Sequence, residues 1–181
     1  MNVERLAIPE VLLLTPARFA DARGFFAETW SGRRYAALGI PGPFVQDNHA
    51  LSIQAGTLRG LHMQIAPSVQ GKLVHCVRGA IWDVAVDVRP GSPTYGRHAA
   101  AELSAATGAQ LWIPGGFLHG YVTLEPGTEV IYKVTADYDR AAERGVIWND
   151  PDLALPWPVE ADRTVLSEKD LLLPLLRDFA P

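Results

Sequence analysis

An imidazole, an amide, a guanidinium and an ammonium group lie close together between Arg59 and Lys72 of this chain. The run Thr57-Leu-Arg-Gly-Leu-His-Met-Gln64 puts His62 two residues from Gln64 and three after Arg59, on an apolar background that reads as a strand. Lys72 follows eight residues later and opens the next apolar run. A base, a cation beside it and an anion anchor on neighbouring strands are what enolisation of a phosphorylated ketone requires. A lone histidine on an apolar strand also fits a satisfied core residue, so His62 gains weight only from its company.

Four further segments mix glycine with polar side chains. They are Asp21-Ala-Arg-Gly-Phe-Phe-Ala-Glu28, Gln46-Asp-Asn-His49, Pro114-Gly-Gly-Phe-Leu-His-Gly120 and the stretch from Tyr132 to Tyr138. Glycine beside a polar group lets backbone approach a ligand closely, although each segment alone also reads as a solvated turn. The five histidines, His49, His62, His75, His98 and His119, form no short-spaced pair. The same-face position after His62 carries Gln64, so the His-X-His signature of a metal-binding cupin is missing and no metal is expected. Ser52, Ser68 and Ser92 sit in no nucleophile elbow, and there is no glycine-rich phosphate loop. These absences argue against a serine hydrolase, a kinase and a nicotinamide oxidoreductase.

The elements that would hold these groups are mostly strands. Fourteen prolines and sixteen glycines punctuate the chain evenly. Between them, β-rich runs are expected at 11–14, 44–53, 72–77, 80–88, 96–102, 110–113, 118–124 and 129–138. This spacing implies an all-β sandwich or barrel. Within Ala80-Ile-Trp-Asp-Val-Ala-Val-Asp-Val88, Asp83 and Asp87 fall on one face. A short helix is expected from Ser31 to Leu38, ended by Gly39, and a helical first turn at Ser167-Glu-Lys-Asp170.

A length of 181 residues, 48% hydrophobic and 20% charged, suits a single domain over 1–181 with a sizeable core. The net charge of −4 gives no basic field for nucleic acid. Cys76, the one cysteine, has no partner for an internal disulfide and reads as a buried strand residue. No apolar run approaches the ~18 residues of a membrane span, so no membrane partner and a cytoplasmic location are expected.

Taken together and in order, the motifs resemble the dTDP-4-dehydrorhamnose 3,5-epimerase family. The likeness runs from Asp21-Ala-Arg-Gly-Phe-Phe-Ala-Glu28 through Phe44-Val-Gln-Asp-Asn-His49, Gly56-Thr-Leu-Arg-Gly-Leu-His-Met-Gln64 and Gln70-Gly-Lys-Leu-Val74. It continues through Asp83-Val-Ala-Val-Asp87, Ser92-Pro-Thr-Tyr-Gly96, Leu111-Trp-Ile-Pro114 and Phe117-Leu-His-Gly120. Tyr132-Lys133, Trp148-Asn-Asp-Pro-Asp152 and Ser167-Glu-Lys-Asp170 complete it. The resemblance implies a cupin-type jelly roll with few short helices, a homodimer, the substrate dTDP-4-dehydro-6-deoxyglucose and no cofactor. A ketone at C4 acidifies the protons on C3 and C5, so acid, base and an enolate stabiliser suffice.

By resemblance, His62 matches the general base, Asp170 the carboxylate that orients it, and Tyr132 the acid on the opposite sugar face. Lys72 matches a cation near the C4 oxygen. Arg59, Arg23 and Glu28 match nucleotide-sugar contacts, some reaching from the partner subunit. Gln46, Asn48, His119, Glu143 and Lys169 match further substrate contacts, and Tyr138 the ring that stacks on thymine. Ala50 departs from the serine often found after Asn-His, and Met63 from a common aromatic. A single-carbon epimerase, a non-catalytic sugar-binding module and a metal-dependent cupin are the alternatives.

Overall fold

The computed structural model describes residues 1–180. Four short strands come first: β1 (Asn2–Arg5), β2 (Leu12–Thr15), β3 (Arg18–Asp21) and β4 (Gly24–Ala27). Helix α1 (Gly32–Ala36) follows. The body of the fold is β5 (Gln46–Ser52), β6 (Leu58–Gln64), β7 (Lys72–Arg78), β8 (Ala80–Asp87), β9 (His98–Ser104), β10 (Gln110–Ile113), β11 (Phe117–Thr123) and β12 (Thr128–Val134). A short β13 (Glu143–Gly145) and helix α2 (Glu168–Leu171) complete the named elements.

Two antiparallel sheets face each other in a cupin-like jelly roll. One has the order β1-β2-β10-β7-β12-β5, the other β13-β6-β11-β8-β9, and β3-β4 form a separate hairpin. Alternation decides what goes between the sheets. On β8, Ile81 and Ala85 point inward with Asp83 and Asp87, while Val84 and Val86 point outward. The inner core joins Val74, Cys76, Leu111 and Val130 of one sheet to Ile81, Leu103, Phe117 and Tyr121 of the other. The outer face of the five-stranded sheet is covered by the C-terminal chain, through Leu153, Trp157, Leu176 and Phe179. Tyr35, Ile40 and Phe44 cover Leu12, Leu14, Leu73 and Trp112 on the outside of the other sheet.

Every expected strand is present, with shifted ends where a turn intervenes. The strand expected at 96–102 begins at His98, because Gly96 takes a positive φ of 75° and donates its N–H back to Asp87 O. The strand expected at 129–138 stops at Val134: after one more backbone bond, from Thr135 N–H to Gly71 O, Ala136 and Tyr138 bond to side-chain amides instead of a neighbouring strand. Strands β1, β3, β4 and β13 are too short to show a period in the sequence. The first helix is shorter than expected: it ends at Ala36 with Ala37 as its cap, and the turn after it closes at Gly39, φ 83°, whose N–H donates to Ala36 O. No helix among the described residues is long and apolar enough to cross a membrane.

Candidate active site

A cleft of about 570 Å³ opens between the two sheets at one end of the sandwich. His62 enters it from β6 in the five-stranded sheet. Asp170 meets it from α2, with Oδ1 2.7 Å from His62 Nε2. The helix is built for this contact: Ser167 caps it by accepting the Asp170 N–H, and Asp170 is only 4% exposed. Burial works to raise the Asp170 pKa, but hydrogen bonds from His62, Ser167 and the Gly60 backbone overcome it and hold the carboxyl below its ordinary range. An ionised carboxylate only accepts, so His62 Nε2 carries the hydrogen of this bond, and Nδ1 is the nitrogen Asp170 leaves unengaged.

The opposite wall belongs to the six-stranded sheet. Tyr132 on β12 lies across from Asn48 on β5 and Val74 on β7. Burial raises its phenol pKa, with Arg59 opposing and Glu143 assisting, so the hydroxyl keeps its proton at neutral pH. Lys72 starts the inward row of β7 and is 8% exposed. Its Nζ donates to His62 O over 3.4 Å, bridging toward the facing sheet. Burial brings the Lys72 pKa down to about 8, against the pull of Asp83 and Glu143.

On the floor, His119 of β11 lies beside His62 of β6 in register, and its Nε2 is 2.8 Å from Asp83 Oδ1. Gly60 has a reason to be glycine here: a Cβ would meet Gly120 Cα at 2.6 Å and His119 O at 2.8 Å. At the mouth, Glu143 on β13 accepts hydrogen bonds from Tyr138 Oη at 2.9 Å and Lys169 Nζ at 2.5 Å. Burial tends to raise the Glu143 pKa, but these two donors and the nearby His62 bring it below the usual carboxylate value. Gln46 and Asn48 reach in from alternate positions of β5 and join through Gln46 Nε2 and Asn48 Oδ1 at 2.7 Å.

Of the residues singled out in the sequence, His62, Tyr132, Asp170, Lys72, Gln46, Asn48, Arg59, His119, Tyr138, Glu143 and Lys169 all line this one cleft. Arg23 and Glu28 do not. They sit on and just after the β3-β4 hairpin, where Arg23 pairs with Asp21 and Glu28 with Arg34. Alternation puts Asp83 on a face but assigns it no role. Its signal was an acidic residue at an inward position of an otherwise apolar strand.

Fold and site define a class: a jelly-roll enzyme with a carboxylate-supported imidazole on one sheet facing a phenol and an ammonium on the other. The family model for dTDP-4-dehydrorhamnose 3,5-epimerase matches residues 5–178. A dTDP-4-dehydrorhamnose 3,5-epimerase of Sinorhizobium fredii is 51% identical, covering 97% of this chain and 90% of its own length. A crystal structure of the Bacillus anthracis enzyme of that name, with TDP and PPi bound, superposes with a TM-score of 0.93 at 46% identity, covering 97% of this chain and 99% of that one. The Legionella pneumophila dTDP-6-deoxy-D-glucose-3,5-epimerase, in complex with dTDP-4-keto-L-rhamnose, gives 0.94 at 41% identity, over 99% and 94% of the two chains. The chain belongs to the dTDP-4-dehydrorhamnose 3,5-epimerase family.

Proposed function

We propose that this chain epimerises dTDP-4-dehydro-6-deoxy-D-glucose at C3 and C5 to dTDP-4-dehydro-L-rhamnose, with no cofactor. The observation that carries the reading is His62 on one sheet, backed by Asp170 from α2, across from Tyr132 on the other sheet, with Lys72 reaching between them. A sugar ring between the sheets has a base on one face and an acid on the other. His62 Nδ1 takes the proton from the carbon next to the C4 ketone. The electron pair moves to the C4 oxygen, where the Lys72 ammonium meets the developing charge. Tyr132 then delivers a proton to the opposite face of the same carbon, which inverts it. Asp170 supports the imidazolium formed in between.

Arg59, Lys169, Gln46, Asn48, His119 and Glu143 make the remaining substrate contacts in this reading, and Tyr138 stacks on the base. Arg23 and Glu28 act on the cleft of a second copy. Support for a homodimer comes from the β3-β4 hairpin, which exposes Phe19, Phe25 and Phe26 at 66%, 61% and 70%. An isolated two-stranded hairpin is marginal in water, and three exposed phenylalanines call for a covering surface.

The test is incubation with dTDP-4-dehydro-6-deoxyglucose in deuterated water, followed by NMR. Deuterium at both C3 and C5 is the expected result. Label at one carbon makes this a single-carbon epimerase, and no label makes it a binding module.

A further inference from the structure

Tyr138 is 55% exposed, yet its backbone is fixed from three sides. Gln46 Oε1 accepts the Tyr138 N–H at 2.9 Å. Gln70 Nε2 donates to Ala136 O at 2.6 Å. Gln64 holds the rest: its Nε2 donates to Asp137 O at 3.1 Å and to Ser68 O at 2.7 Å, while its Oε1 accepts the Asp139 N–H at 2.8 Å. Ser68 Oγ adds a bond to Asp139 Oδ2 at 2.9 Å. The segment is neither strand nor helix, so these side chains replace the ladder it lacks.

We propose that Gln64 is a positioning residue: it clamps the 137–139 backbone to the Ser68 turn so that the Tyr138 ring stands ready at the cleft mouth for the nucleobase. The inference rests on the proposed stacking role of Tyr138. Gln64 occupies the place where a metal-binding cupin would keep its second histidine. Here that inward position faces two carbonyls and one N–H, and only an amide offers donors and an acceptor at once. It is 4% exposed, so an unmatched group at this site has no water to turn to. A ring whose backbone is already ordered binds without the cost of ordering it.

Two substitutions of similar size change this chemistry. Gln64→Glu turns a donor against two carbonyls into an acceptor, and Gln64→Met removes all three bonds. The experiment measures dTDP affinity by calorimetry, and kcat and KM for the nucleotide sugar, in each variant alone and combined with Tyr138→Ala. Tyr138→Ala weakens dTDP binding about tenfold or more, within the range of one base–aromatic stack. Gln64→Glu and Gln64→Met are expected to weaken dTDP about five- to tenfold and to raise KM far more than they lower kcat, as loss of uniform binding does. Added to Tyr138→Ala, they cause no further loss, because both act through one ring.

Folded Gln64 variants with normal dTDP affinity, beside a weakened Tyr138→Ala, overturn this inference and leave the stacking role standing. Full dTDP affinity in Tyr138→Ala removes the stacking role and the inference with it. Additive losses, or a fall in kcat at constant KM, assign Gln64 to the neighbouring His62 and also overturn it. Should neither variant fold, Gln64→Asn, which keeps the amide one methylene short, carries the same comparison.

Discussion

His62 and Asp170 are 108 positions apart, and their Nε2 and Oδ1 atoms meet at 2.7 Å. One lies on a central strand and the other on a one-turn helix of the C-terminal chain, so folding alone creates the pair. His62→Asn is expected to abolish deuterium uptake at both C3 and C5, since in the proposed reaction one imidazole takes both protons. Asp170→Asn keeps the ring but loses charge support, and its rate falls within the ~10²–10⁴ span of general-base catalysis. A folded His62→Asn protein with near-normal exchange in NMR would refute the assignment.

Tyr132→Phe separates exchange from inversion. It removes the proposed proton donor on one face and leaves the proposed base, His62, on the other. Deuterium still enters the substrate, while formation of the L-sugar drops, most at C5. Equal loss of exchange and inversion would move Tyr132 out of the acid's role.

The pH dependence follows from Lys72. Burial lowers its pKa to about 8 despite Asp83 and Glu143, and only the ammonium stabilises an enolate. Its charged fraction falls as pH rises, so kcat/KM, which reports groups of the free enzyme, is expected to decline on the alkaline side with a midpoint near pH 8. Tyr132, whose pKa lies above its ordinary value, still holds its proton there. Lys72→Ala loses ~10²–10³ in kcat, and that alkaline limb disappears with it. A rise in KM alone would make Lys72 a phosphate anchor.

Turnover is expected to survive exhaustive chelation. The position beside His62 that a metal would need is taken by Gln64, whose amide is committed to three backbone groups. Activity lost to EDTA and restored by one divalent ion would overturn this reading.

Light scattering at micromolar concentration is expected to give twice the 19.7 kDa chain mass. Phe26→Asp should return the protein to a single chain, because a carboxylate cannot be buried there without a partner. That variant is also expected to lose substrate affinity, because it withdraws Arg23 and Glu28 from the neighbouring cleft they are proposed to serve. A fully active monomer of the unaltered chain would rule out the shared site.

Alternation and turn chemistry made much of this molecule readable in one dimension. The inward rows of β7, β8, β10 and β11, the cap at Ser167 and the turn at Gly39 all depend on neighbours within a few residues. Period alone likewise puts Asp83 on its face. Sequence resemblance, not period, points to Asp170 and Lys169, since nothing local ties them to a strand more than a hundred positions away.

Only the tertiary structure decided how Arg59 and His62 come to share a cleft. They are three apart on β6, and a regular strand would send them to opposite faces. In the pairing with β11, Tyr121 faces Arg59 and His119 faces His62, so two steps on one strand match three on the other. The extra residue falls at Gly60-Leu61 and turns the alternation over by one. Gly120 supplies the room for it, on a different strand, which no reading of β6 by itself could include. Whether Arg23 and Glu28 ever meet a substrate is decided one level further out, by the second chain onto which their hairpin is proposed to dock.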